Sequence, residues 1–410
     1  MSEVKNIPEG WVESSLSEIA LVNPRESISK GSIATNIPMD CIDSFSKKIQ
    51  RYYSKGFEGG TKFRNGDTLL ARITPCLENG KTAFVDILYE NEIGFGSTEY
   101  LVFREIKEKS DKHFIYYLSI SPRFREIAIK AMSGTSGRQR VQTDMLINHK
   151  FYLPKYEEQK SIAAILTAFD DKIELLQAQN KTLEETAQTI FAEWFGKYQI
   201  EDELPDGWRV GKLSEIANLK SGFAFKAEDF IEESNYKAIK IKDLKGNGNI
   251  SLTDVSAITE EITKLDRVQY FKLNEGDILL AMSGNTTGKI GVLPSSDNEI
   301  YLNQRVGKFF MKQNKYNSFL YNFLMSGSFE EKILAMGYGS AQPNINPSQI
   351  ENIEIIYPDE TKMIDYLNIS NPIFEKVLKN NTQIQTLTKT RDELLPRLMS
   401  GAVRVNEFKK

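Results

Sequence analysis

The sequence predicts an α+β protein with pseudo-two-fold organisation. Two similar mixed α/β units are joined and followed by long helices that form an antiparallel coiled coil. Three observations predict it. A stretch of the first half recurs in the second, each copy closes on a strand and a proline, and each copy leads into a long run with heptad-spaced apolar positions.

At 410 residues the chain has room for two to four domains. Forty per cent apolar and 26% charged residues are ordinary globular usage and argue against a disordered or fibrous chain. The net charge of −4 excludes an evenly basic DNA packer, though it leaves local basic faces open. Two cysteines, Cys41 and Cys76, make no disulfide framework and fit a reducing compartment. Together with His113 and His149 they have no zinc spacing, so no metal is expected. The opening MSEVKNIPEG lacks a signal-peptide core, and the longest apolar-rich run, SIAAILTAF, is far short of the roughly 20 residues a bilayer span needs. The expectation is a soluble, cytoplasmic protein with no membrane partner.

The repeat begins at IPEGWVESSLSEIA (7–20) against LPDGWRVGKLSEIA (204–217), where eight of fourteen positions are identical at an offset of 197. The match includes Trp11 and Trp208, in a chain with three tryptophans. Next come GDTLLA (66–71) and GDILLA (276–281), each a Gly-Asp turn before an apolar strand. NGKTAFV (79–85) matches TGKIGVL (287–293), and SGRQRVQTDMLINHKFYLP (136–154) matches SAQPNINPSQIENIEIIYP (340–358). The anchors keep their order while the offset moves from 197 to 210, 208 and 204, as one scaffold with different surface loops would require.

From Glu157 to about Phe195 the chain lacks proline and carries apolar residues at alternating spacings of four and three. Ile162, Leu166, Phe169, Ile173, Leu176, Asn180 and Leu183 define the seam, continuing through Ala187, Ile190 and Trp194. Its first turn holds Glu157 and Glu158, where the helix dipole favours carboxylates. The second copy places Ile373, Val377, Asn380, Ile384, Leu387 and Leu394 in the same register. Pro372 is expected to break or kink that helix near its start, and Gly401 to stop it. Two seams in one chain can satisfy each other, and Asn180 at a core position fixes pairing at some cost in stability. The plainer alternative packs each helix on its own unit. The boundaries that follow are 1–156 for the first unit, 157–199 for its helix, 200–358 for the second unit, 359–402 for its helix and 403–410 for a tail.

A unit opening with P-x-G-W, a closing P-x-x-E-E-Q from Pro154 to Gln159, a long helix, and a second copy ending in RDELLPRLMSG resemble the DNA specificity subunit of type I restriction–modification enzymes. The resemblance covers almost the whole chain. It implies that 1–156 and 200–358 are target-recognition domains, each reading one half of a split, asymmetric sequence in double-stranded DNA. It also implies that the helices form an antiparallel spacer docking two methyltransferase (modification) subunits, with restriction/translocase subunits added outside. The second copy departs from the pattern, with Asp359-Glu360-Thr361-Lys362-Met363 where the E-E-Q would stand.

Catalytic motifs are sparse. MSGNTTGKI (282–290) and PCLENGKT (75–82) resemble phosphate loops, but the first is one residue short between glycines and the second has Pro75 in place of the first glycine. Both read as turns into strands. The adenine-methyltransferase signature NPPY/F has no match, and neither G-x-S-x-G, H-E-x-x-H nor C-x-x-C occurs. The chain is therefore expected to be non-catalytic and to need no cofactor.

Residues 123–140, RFREIAIKAMSGTSGRQR, run from a helix into a Ser/Gly/Thr-rich loop with five basic side chains counted there. Arg123, Arg125 and Lys130 suit phosphates. Thr135 and Ser136 lie in the loop, and Arg138, Gln139 and Arg140 suit base edges, since arginine favours guanine and glutamine favours adenine. The matched loop 337–346 holds amides instead: Ser340, Gln342 and Asn344, of which Gln342 and Asn344 suit adenine. Further candidates are Arg72 after GDTLLA, Ser283, Asn285 and Thr286 after GDILLA, the pairs Thr98-Glu99 and Gln304-Arg305 at corresponding strand starts, and Lys220-Ser221. For all of these, plain surface exposure is the alternative. Two other functions stand beside the DNA-reading one. They are a coiled-coil scaffold binding protein ligands, and the recognition part of a fused methyltransferase–nuclease.

Overall fold

A computed structural model describes residues 7–135, 137–337 and 345–405. It divides into two compact units. The first combines the chain up to Glu174 with the segment from Thr386 on, and the second is Leu175–Gln385.

In the first unit a four-stranded antiparallel sheet has the order Ala20–Val22, Tyr100–Glu105, Thr68–Ala71, Thr82–Phe84. A second sheet orders Tyr53–Gly56, Ile33–Ile37, Gly94–Gly96, Thr61–Phe63, with one parallel pair between Ile33–Ile37 and Gly94–Gly96. Val12–Ser15 pairs with Lys150–Leu153, and helices Lys112–Ile120 and Pro122–Lys130 pack on the core. The second unit repeats this plan. Its sheets order Ala217–Ser221, Val306–Met311, Ile278–Ala281, Ile290–Val292 and Phe230–Ile231, Ser256–Ile258, Tyr236–Ile239, Glu299–Leu302. The single parallel pair recurs, between Tyr236–Ile239 and Glu299–Leu302.

The repeated peptides explain the repeated fold. Gly66 and Gly276 take φ of +92° and +86°, a region open to glycine, which turns the chain. Asp67 then accepts a hydrogen bond from the Arg64 N–H at 2.7 Å, as Asp277 does from Asn274 at 2.7 Å. Each turn feeds a strand whose four residues are all buried. In LSEIA, Leu16 and Leu213 are fully buried, while Glu18 and Glu215 accept from the N–H groups of Ser15 and Lys212.

The long helices are Tyr156–Phe195 and Glu360–Met399. Inside the second unit they run antiparallel: Asn180 meets Asn380 and Asn381, while Phe191, Trp194 and Phe195 surround Tyr366. Asn380 Nδ2 donates to Asn180 Oδ1 at 2.8 Å, and Asn180 Nδ2 donates to Asn381 Oδ1 at 2.7 Å. Inside the first unit Ile162 and Leu166 share a core with Leu395 and Leu398, and Asp170 pairs with Arg391. Of the seam positions, Ile162, Leu166, Ile173, Leu176, Asn180 and Val377 are buried, and Phe169, Leu183, Ile373, Ile384, Leu387 and Leu394 are half-buried. Phe374 and Leu395 go deeper than their neighbours Ile373 and Leu394.

Of the two expected outcomes, a break or a kink, the break does not occur: Pro372 lies within one continuous helix. Pro372 and Asn368 are both exposed, so the carbonyl freed four residues back is open to water. Ser370 and Asn371, just before it, are tied to Ser318 at 2.6 Å each. Gly401, with φ of +72°, follows the last turn, and its N–H donates to the Leu398 carbonyl.

The helix starts differ as their sequences do. In the first unit Glu158 accepts from Trp11 Nε1 at 3.2 Å and from Arg404. Gln159, buried, donates to the carbonyls of Lys109 and Pro154 and accepts from the Asp111 N–H. In the second unit Lys362 lies 4.8 Å over the Trp194 ring, and Met363 sits in the apolar core. Among the described residues no helix is long and apolar enough to cross a membrane.

Candidate nucleic-acid interface

Three segments converge where the strand Thr68–Ala71 ends. The Arg72 N–H donates to the Glu99 carbonyl at 2.9 Å, and the Val141 N–H donates to the Arg72 carbonyl at 2.9 Å. The Thr74 N–H donates to the Gln139 carbonyl at 3.0 Å. The hairpin Met132–Ser133/Arg140–Val141 is thereby fastened beside the turn holding Thr98 and Glu99. Gly134 and Gly137, with φ of +127° and +80°, let its tip reverse.

The arrangement brings together Arg72, Thr98, Thr135, Arg138, Gln139 and Arg140. Thr98, Thr135, Arg138 and Arg140 are exposed, and Gln139 and Arg72 are half-buried. Arg140 holds the Glu99 carboxylate in a fork, with Nε at 3.0 and 2.9 Å from its two oxygens and Nη2 at 2.6 Å. Hydrogen bonding from Arg140 keeps the Glu99 carboxyl below its ordinary pKa, against desolvation, with Arg140 and Arg72 charges adding to the effect. Arg72 donates through Nη2 to the Val141 carbonyl at 3.2 Å, while its Nε is buried without a partner among the described residues.

The basic residues of helix Pro122–Lys130 face other neighbours. Arg123 is exposed, 5.8 Å over Phe151. Arg125 is half-buried, donates to the Glu78 carbonyl at 3.1 Å and lies 4.9 Å over Phe45. Lys130 pairs with Glu126 one turn earlier. Ser136 lies outside the described residues.

In the second unit two of these backbone bonds recur with other side chains. The Met282 N–H donates to the Arg305 carbonyl at 3.1 Å, and the Ile345 N–H donates to the Met282 carbonyl at 2.8 Å. Met282, Arg305 and Ile345 thus stand where Arg72, Glu99 and Val141 stand. Asn285, Gln304 and Arg305 are exposed. The Ser283 and Thr286 hydroxyls are buried without partners among the described residues. Lys220 Nζ donates to the Tyr270 hydroxyl at 2.6 Å and lies 5.3 Å from the Phe310 ring centre. Ser221 is half-buried, its hydroxyl 4.0 Å from Met282 Sδ. Ser340, Gln342 and Asn344 lie outside the described residues.

Sequence reasoning missed Glu99 as the partner of Arg140. No spacing rule links residues 41 apart, and only the strand pairing brings them together.

The fold is thus a duplicated α/β unit with paired helices and, at one strand end of each copy, a matched backbone junction lined by different side chains. The chain belongs to the family of the type I restriction modification DNA specificity domain, which matches residues 8–185 and 205–385. It is 31% identical over 308 residues to the type I restriction enzyme MjaVIII specificity subunit of Methanocaldococcus jannaschii, covering 71% of each chain. It is 24% identical to the EcoAI specificity subunit of Escherichia coli, across 97% of this chain and 83% of that one. In structure it is similar to the type I restriction–modification S subunit from M. genitalium, with a TM-score of 0.57 and 17% identity over 97% of this chain and 98% of the other. That likeness establishes a common fold.

Proposed function

We propose that this chain is the non-catalytic, DNA-reading subunit of a type I restriction–modification complex. Residues 1–156 and 200–358 act as target-recognition domains, each reading one half of a bipartite asymmetric sequence. The helices within 157–199 and 359–402 dock two methyltransferase subunits, and restriction/translocase subunits join the full complex. One observation carries the reading. The same backbone junction occurs in both units with unlike side chains, Arg72, Glu99 and Val141 against Met282, Arg305 and Ile345. A constant frame with a changed lining is what two half-site specificities need.

The test is co-expression with the methyltransferase subunits and mapping of methylated adenines genome-wide. A split, asymmetric motif is expected. Arg138→Ala should relax one half of it, with discrimination falling roughly 5- to 150-fold at the affected base pair. Equal weakening on all sequences would instead make Arg138 a phosphate contact.

A further inference from the structure

We infer that Glu99 is a positioning residue for recognition: it holds the Arg140 guanidinium so that the free edge of the fork addresses one guanine in the half-site of the first unit. This rests on the hairpin being a DNA-contacting loop, as proposed above.

The geometry supplies the argument. Arginine has five N–H donors in one plane. Glu99 takes the Nε side and one Nη2 hydrogen. What remains for a bidentate contact is the end edge, one hydrogen each on Nη1 and Nη2, whose spacing matches the O6 and N7 acceptors of guanine. The Arg140 side chain is 49% exposed, while Glu99 is only 23% exposed. Both partners stand on fixed backbone. The Glu99 carbonyl accepts from Arg72, and Arg140 bridges Ile73. An arginine held this way loses little rotamer freedom on binding, and its misplacement costs discrimination rather than attraction. The carboxylate also offsets one positive charge beside Arg72, so the site gains direction at the expense of non-specific phosphate affinity. In the second unit Arg305 stands at the matched position, so this device belongs to one half-site only.

The experiment uses the complex of the full chain with its methyltransferase subunits. Methylated sites are mapped, and binding is measured by anisotropy on duplexes carrying each substitution at each base pair of the mapped site, at several salt concentrations. Arg140→Ala and Arg140→Lys should lower preference for guanine at one base pair of one half-site by roughly 5- to 150-fold. Glu99→Gln should lower it at that same base pair, while affinity for non-specific duplex holds or rises. Three results would overturn the inference. In the first, Glu99→Gln weakens binding to all sequences alike, which makes Glu99 a structural clamp. In the second, Arg140→Lys leaves every base preference intact; this variant keeps the ion pair and decides the matter if Glu99→Gln fails to fold. In the third, Arg138→Ala alters a half-site while both Arg140 variants do not, so the inference fails and the DNA-reading function stands. If neither arginine affects any base, the reading of this hairpin as a recognition loop falls with it.

Discussion

The two units pack against their helices through unlike chemistry at matched positions. In the first, Asp170 lies 2.7 Å from Arg391 Nη1 and 3.6 Å from Lys47 Nζ, and it accepts from the Tyr117 hydroxyl. Lys47 also lies over the Tyr117 ring at 5.0 Å. At the spacing of 204 that relates Tyr117 to Tyr321, Asp170 becomes Phe374 and Arg391 becomes Ala187. There Tyr321 packs on Phe374 with ring centres 5.3 Å apart, Ala187 is buried, and the Tyr321 hydroxyl donates to Glu184 at 3.3 Å. One scaffold thus accepts either a charge network or an apolar contact at the same joint. The network depends on Asp170 at its centre, because both Arg391 and Lys47 rely on it for charge taken from water. Burial works against the charge on Arg391, but Asp170 and then Asp392 outweigh it and hold its pKa up. On Lys47 burial prevails over Asp170, Asp171 and Asp86, and its pKa falls. The apolar joint has no such interdependence, and Glu184 there has no cation partner among the described residues.

The largest expected effect comes from breaking the network at its centre. Asp170→Leu leaves two cations facing each other in a partly buried site and should cost about 3–5 kcal/mol in the first unit. Urea unfolding, with hydrogen exchange assigning the loss to that unit, checks it. A cost under 1 kcal/mol would mean that the charges are solvated in solution.

Glu184 gives the next effect, with the opposite sign. Burial raises its pKa from 4.5 to about 7, with the Tyr321 hydrogen bond opposing. The folded state therefore binds the proton more tightly than the unfolded chain does. Its contribution is complete below about pH 4.5 and is lost as pH rises through about 7. Glu184→Gln should be close to wild type at pH 4.5 and more stable by about 3 kcal/mol at pH 8. Denaturation of the second unit at both pH values tests this, and a pH-independent difference would contradict it.

The smallest effect sharpens the comparison. Lys47→Met replaces the outer cation with a flexible apolar chain and leaves Asp170 paired with Arg391. Burial already outweighs the attraction on Lys47, so losing its charge costs little and stability should stay within about 1 kcal/mol of wild type. Thermal unfolding of the two proteins side by side measures it, and a loss of 3 kcal/mol would make Lys47 an essential member.

Legibility in the sequence followed the range of the interaction. The repeat, the heptad seam, the Gly-Asp turns and the Gly401 stop are local patterns, so they could be read directly. The break expected at Pro372 did not occur, because a local rule took no account of Ser318 holding the preceding residues or of the exposed face. Lys47, Asp170 and Arg391 come from three distant segments, and Glu99 meets Arg140 only through strand pairing, so neither arrangement was visible. The amide loop around Gln342 was legible as composition alone.

The make-up of the first unit sets a timetable for its synthesis. Its core includes Leu395, Leu398, Val403 and Val405 alongside Trp11, Phe114 and Leu166. The second unit is contiguous from Leu175 to Gln385. On the ribosome, the part made first is therefore completed last. At roughly 5–20 residues per second, the face formed by Ile162 and Leu166 waits about 10–40 s for its closing helix. During that interval it is apolar surface without its closing partner, and a message truncated before Thr386 would leave it so.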